Sequence, residues 1–160
     1  MDKGILIGIS FIAGFVTALL FVAVGSVIAF TFFMNEGAVL QPNLEYPTTI
    51  ESGSTLELVV HLVNEEDEQI VLDSIDVDDS LLAGFKVIDT VPMYGEQSDL
   101  YEMETFDFGF SVEAGATTAV VFRLEALEPG RYSGELEIRN ANQDFIAEVA
   151  VIDVIAPAGE

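Results

Sequence analysis

A chain of 160 residues has room for one ordinary domain and an appendage. It has no cysteine, which excludes disulfide scaffolds, thiolate metal sites, cysteine nucleophiles and a lipidated cysteine. The formal net charge of −23 repels phosphate backbones and anionic lipid head groups, so no nucleic-acid partner is expected; divalent cations, basic proteins or salty surroundings suit it better, and the simplest reading is a self-repelling surface.

The apolar share is 51% and the mean hydropathy +0.46, and the excess is local. Residues Gly4–Met34 contain no charged side chain. As an α-helix rising about 1.5 Å per residue, the run reaches roughly 46 Å. A bilayer core of about 30 Å needs only about 20 residues. The run therefore predicts a transmembrane helix over residues 4–34, with the lipid bilayer as its partner. Its surplus tilts or enters the head-group layer, a suitable place for Thr31, Phe32 and Phe33. Lys3 precedes it, Glu36 and Glu45 follow it, and no further cation comes before Lys86. The positive-inside rule then puts residues 1–3 in the cytoplasm and the remainder outside, at the cell membrane with a single pass. Ala23-Val24-Gly25 offers a small-residue cleavage site, but the apolar run continues past it, which favours an uncleaved signal anchor. Ser10, Gly14 and Ala18 recur every four residues. Small residues so spaced let two helices approach closely, and self-association through the helix is the expectation they raise.

Residues 35–45 read as a linker, 46–156 as the outer domain and 157–160 as a tail. In the domain the apolar period becomes two. Leu56, Leu58, Val60 and Leu62 alternate within Thr55–Val63. After a polar turn at Asn64–Asp67 come two short runs, Gln69–Leu72 and Ile75–Val77. Asp79–Gly84 reads as one helical turn, with Asp79 or Ser80 as cap and Gly84 as stop. Phe85–Val91 ends at Pro92. Phe106, Phe108, Phe110 and Val112 alternate, as do Val120, Phe122 and Leu124, and then Tyr132, Gly134, Leu136 and Ile138. The last strand is Phe145–Ile155, with Ala147, Val149 and Val151 expected on the inner face. Short turns and half-buried strands predict an all-β, immunoglobulin-like antiparallel sandwich of about seven strands behind one N-terminal transmembrane α-helix.

Pro129-Gly130-Arg131-Tyr132 places a tyrosine just after a tight turn. Its ring can pack at the core's edge while its hydroxyl bonds a backbone group near the turn, as in a tyrosine corner. Together with Glu51-Ser52-Gly53-Ser54, the strand that follows it and Asn64, this stretch resembles bacterial and archaeal cell-surface immunoglobulin-like domains of the CARDB type. The likeness spans Tyr46 to Ile155. It departs where Asn64 meets Glu65-Glu66-Asp67 instead of a small residue. The resemblance implies a stalk, adhesive or assembly role and makes Pro129, Gly130 and Tyr132 structural residues.

Candidate chemistry is sparse. His61 is the only histidine, at an outward strand position, and no nucleophile motif accompanies it. No phosphate loop, GxSxG, HExxH or dinucleotide fingerprint is present, so no enzyme and no resident cofactor is expected. Glu65, Glu66, Asp67, Asp76, Asp78 and Asp79 are the candidate metal ligands, since calcium takes six to eight oxygens, often from loop carboxylates. The competing reading is a solvated acidic edge. Asp99, Glu102, Glu104 and Asp107 form a second acidic stretch. Three functions follow: a membrane-anchored, non-enzymatic extracytoplasmic interaction or structural module with an unidentified protein partner; a subunit of a surface assembly; or a divalent-cation-responsive surface domain. The assembly reading rests on a likeness of plan to archaeal pilin-like subunits and archaellum stator proteins, and on Lys3-Gly4, which resembles a prepilin processing site.

Overall fold

The computed structural model describes residues 39–157. Within them ten strands and one short helix occur in the order β1 (Gln41–Glu45), β2 (Thr49–Glu51), β3 (Thr55–Val63), β4 (Ile70–Asp78), α1 (Asp79–Leu82), β5 (Phe85–Val91), β6 (Gln97–Leu100), β7 (Met103–Val112), β8 (Thr117–Ala126), β9 (Gly130–Asn140) and β10 (Phe145–Ile155). They form a sandwich of two sheets, ordered β1-β3-β8-β5 and β2-β10-β9-β4-β7-β6. Among the described residues no helix is long and apolar enough to cross a membrane. The expected membrane helix, with Ser10, Gly14 and Ala18, lies outside the described residues.

The strands follow from binary patterning. In β3 every second residue, Leu56 to Leu62, is buried, and β8 answers with Val120, Phe122, Leu124 and Ala126. The facing sheet supplies Ile75, Val77, Phe106, Leu136, Ile138 and Ile152. Phe106 and Phe122 meet edge to face at 5.3 Å across the interior, and Tyr94 closes on Phe106 at the same distance. Edge-to-face pairing adds about 0.5–1.5 kcal/mol to the burial of such rings.

Several sequence expectations need correction. Among the described residues the strands number ten, not about seven. The three extra ones are short, and β1 lies within the segment expected to be a linker. It pairs antiparallel with β3, and Leu40 just before it is buried. The chain then crosses between sheets at Tyr46–Thr48, and β2 pairs parallel with β10. The sandwich is thus not wholly antiparallel.

The runs Gln69–Leu72 and Ile75–Val77 are one strand. A bulge between Leu72 and Ser74 shifts the phase of alternation, so Leu72 and Ile75 both face inward although three positions separate them. Opposite on β7, Gly109 takes φ +63°, a left-handed conformation that side chains rarely adopt.

The inner face of β10 is Ala150, Ile152 and Val154, not Ala147, Val149 and Val151. Both parities of this strand are apolar, so its pattern does not fix which face is buried. Last, the cap of α1 is Asp78, whose carboxylate accepts from Ser80 N at 2.7 Å. Gly84 serves close packing instead of a left-handed stop. A Cβ built there would lie 2.3–2.5 Å from the Tyr132 ring.

Candidate functional site

The six acidic residues predicted as metal ligands sit in three separate settings. Glu65, Glu66 and Asp67 are exposed on the β3–β4 loop. Asn64 fixes the base of that loop and is wholly buried. Its Nδ2 donates to the carbonyls of Glu68, Val112 and Glu113 at 2.8, 2.9 and 3.1 Å, and its Oδ1 accepts from Glu66 N at 3.0 Å. One amide therefore ties the β3–β4 and β7–β8 connections together. Asp78 caps α1, and Asp79 is exposed in its first turn.

Asp76 lies on the outer face of the six-stranded sheet, with its side chain only 8% exposed. Arg139 Nε donates to its Oδ2, Arg139 Nη2 donates to Glu137, and Ser74 Oγ donates to Asp76 Oδ1 at 3.0 Å. The guanidinium also stacks 4.5 Å from the centroid of Phe145. Partial burial pulls the pKa of Arg139 down, but its bonds to Asp76 and Glu137 outweigh that and hold it above its ordinary value. Asp76 is thus committed to a cation of the protein. Among the described residues no group of three or more His, Asp or Glu side chains is arranged to hold a metal ion, and the six predicted residues do not form one site.

A groove of about 410 Å³ opens between the β3–β4 loop and the β9–β10 turn. Glu66, Asp67 and Glu68 line one wall, and Asn140, Ala141 and Asn142 line the other. Asn140 holds the second wall in place. Its Oδ1 accepts from Asn142 N and Asp144 N, at 2.9 and 3.0 Å. The arrangement is an acidic cleft with polar backbone on its far side, suited to a cationic group.

In the second acidic stretch, Asp99 stands opposite Glu104 in the β6–β7 register, and Gln97 Nε2 donates to Glu104. Asp107 belongs to the outer face near Asp76. Burial pushes its carboxyl above the ordinary range, and the charges of Asp73, Glu96 and Asp76 add to the rise. His61 Nε2 and Glu45 Oε2 lie 3.0 Å apart on adjacent strands, where no nucleophile accompanies them.

Tyr132 packs its ring edge to face against Phe85 at 5.8 Å, and its hydroxyl donates to Glu128 O at 3.0 Å, spanning Pro129 and Gly130.

With this geometry in view, the comparisons speak to fold. No family profile matches the chain, and no curated protein does. Solved structures do. The chain is similar to a cohesin module of a family 33 glycoside hydrolase from Clostridium perfringens, at TM-score 0.53 and 9% identity over 76% of this chain and 100% of that one. It is also similar to part of α-2-macroglobulin from E. coli, at TM-score 0.51 and 16% identity, covering 75% of this chain and 7% of that one. A CARDB domain from Pyrococcus furiosus, solved in complex with di-metal ions, aligns at TM-score 0.48 and 9% identity over 76% of this chain and 98% of that one. At such identities the first two likenesses concern the β-sandwich alone.

Sequence reasoning missed the Asp76–Arg139–Glu137 cluster and the role of Asn140. A usable signal was present for the first. Arg139 is one of only four cations after Lys3, and it alternates with the inward Ile138 on the strand beside Asp76.

Proposed function

We propose that the protein is a membrane-anchored, non-enzymatic extracytoplasmic module that acts by binding a partner or by holding a structure in place. The observation that carries this reading is the join between the uncharged apolar run Gly4–Met34 and an acidic sandwich. A run of that length is stable in hydrocarbon and not in water. The sandwich commits several of its candidate polar groups to architecture: Asn64 to loop carbonyls, Asp78 to a helix cap, Asp76 to Arg139. The −23 charge favours cationic partners. A second reading, a subunit of a surface assembly, draws on the four-residue spacing of Ser10, Gly14 and Ala18.

Alkaline carbonate extraction tests the anchor. Membranes from cells expressing the full chain are expected to retain it in the pellet. Release into the supernatant would sink the anchored reading. Crosslinking of the full chain through residues 10, 14 and 18 would favour the assembly reading.

A further inference from the structure

The strand β10 has two unequal edges. One pairs with β9 from Phe145 to Val154. The other pairs with β2 only over Asp153–Ile155. Between Phe145 and Ala150 that second edge is hydrogen-bonded to no strand among the described residues, and β1 of the other sheet is the element that packs beside β10. The parity of the backbone is fixed by its neighbours. Asp153 N donates to Thr48 O at 2.9 Å, Val151 N donates to Tyr46 Oη at 3.2 Å, and Ile155 O accepts from Ser52 N at 2.9 Å. Odd-numbered residues therefore turn their N–H and C=O groups to the β2 side, so Phe145, Ala147 and Val149 present theirs along an open edge.

The same three residues point their side chains to the outer face, opposite in parity to the buried Ala150 and Ile152. Phe145 is 49% exposed and Val149 55%. Natural sheets blunt exposed edges with proline, bulges or short strands. The other sheet edges here follow that rule: β1 contains Pro42, β5 is bulged between Val87 and Asp89, and β6 has 4 residues. The N-terminal half of β10 has no proline or bulge and, among the described residues, no hydrogen-bonded strand on this side, which is the form of edge that accepts an added strand.

Charge selects the occupant. In the β9–β10 register Glu135 stands opposite Val149 and Glu148 is exposed at the other parity, while Glu137, opposite Ala147, is already paired with Arg139. A second copy would bring a like charge of −23 to this edge. We infer that the Phe145–Ala150 edge takes an added strand from a basic partner protein. That strand is an extended segment in which apolar residues cover Phe145, Ala147 and Val149 and alternate with Lys or Arg that meet Glu148. The inference rests on the reading of the domain as an interaction module and not on the membrane anchor.

The test uses the full chain in phosphatidylcholine nanodiscs and a synthetic peptide alternating valine and lysine. Peptide binding is expected to slow amide exchange at residues 145, 147 and 149. A peptide alternating valine and glutamate is expected to bind at least tenfold more weakly. Val149→Pro removes an outward N–H and no ladder bond, and it should weaken binding at least tenfold at an unchanged melting temperature. Glu148→Lys, which leaves the backbone intact and sets a like charge against the peptide's lysines, should do the same by repulsion. Protection confined to the Glu66–Gln69 loop, equal binding by both variants, no protection at millimolar peptide, or dimerisation through β10 would each overturn the inference. Each of those leaves the anchored-module reading standing, whereas release of the chain by carbonate sinks that reading without touching the edge.

Discussion

Replacing Asn64 probes how much of the loop architecture hangs on one buried amide. Asn64→Ala removes the donor shared by three carbonyls and the acceptor for Glu66 N. The contact with Val112 O is buried, while those with Glu68 and Glu113 are partly open to water. A buried group left without a partner costs about 1–3 kcal/mol. One such carbonyl, with partial losses at the other sites, gives a total of about 2–4 kcal/mol. For a domain of this size that lowers the melting temperature by roughly 8–16 °C. Asn64→Asp is the sharper perturbation, because it turns a carboxylate toward carbonyl oxygens. That carboxyl holds its proton more tightly folded than unfolded, so the folded state binds more protons. The deficit relative to the parent protein should therefore grow as pH rises through the carboxylate range and shrink in acid. Thermal melts of the full chain in detergent, followed by near-ultraviolet circular dichroism of the tyrosines, read both effects. A loss below about 1 kcal/mol for Asn64→Ala, or a pH-independent deficit for Asn64→Asp, would refute the reasoning.

Gly84→Ala should cost about 1–3 kcal/mol through overpacking against the Tyr132 ring. Adding Tyr132→Ala should cost less than the sum of the two single changes, and strict additivity in melts would count against that contact. Arg139→Met removes the cation from the Asp76 carboxylate and should cost about 1–3 kcal/mol. Adding Asp76→Asn should recover most of that loss, and a double-mutant cycle with no coupling would deny the pair. Asp107→Asn should stabilise the domain at neutral pH, because the folded state holds that carboxyl's proton more tightly than the unfolded chain does. The gain should vanish as pH falls below the ordinary carboxylate range, and a gain that persists in acid would contradict the assignment.

The legible parts of the fold were those where one face is apolar and the other polar. In β3 the burial of Thr55–Val63 alternates strictly, and the buried face is the all-apolar one, Leu56, Leu58, Val60 and Leu62, that its pattern names. The pattern loses its meaning in β10, whose two parities are both apolar, and the open edge follows from the parity that packing chose. It also breaks at Asp73, where a bulge turns one strand into two apparent runs. The strands β1, β2 and β6 are too short to show a period, and pairing with longer neighbours specifies them. For the candidate site, sequence proximity misled. Asp76, Asp78 and Asp79 are neighbours in the chain, yet their surroundings give one an arginine, one a helix terminus and one solvent. Tyr132 was legible because Pro129 and Gly130 fix the turn before it.

On the proposed reading, the apolar run Gly4–Met34 anchors the sandwich outside the cell. Because the chain has no cysteine, single introduced thiols report its topology without background. Met93 is 80% exposed and Asp2 precedes the apolar run. A membrane-impermeant maleimide added to intact cells should label Met93→Cys at once and Asp2→Cys only after permeabilisation. Labelling of Met93→Cys that requires permeabilisation would contradict the account.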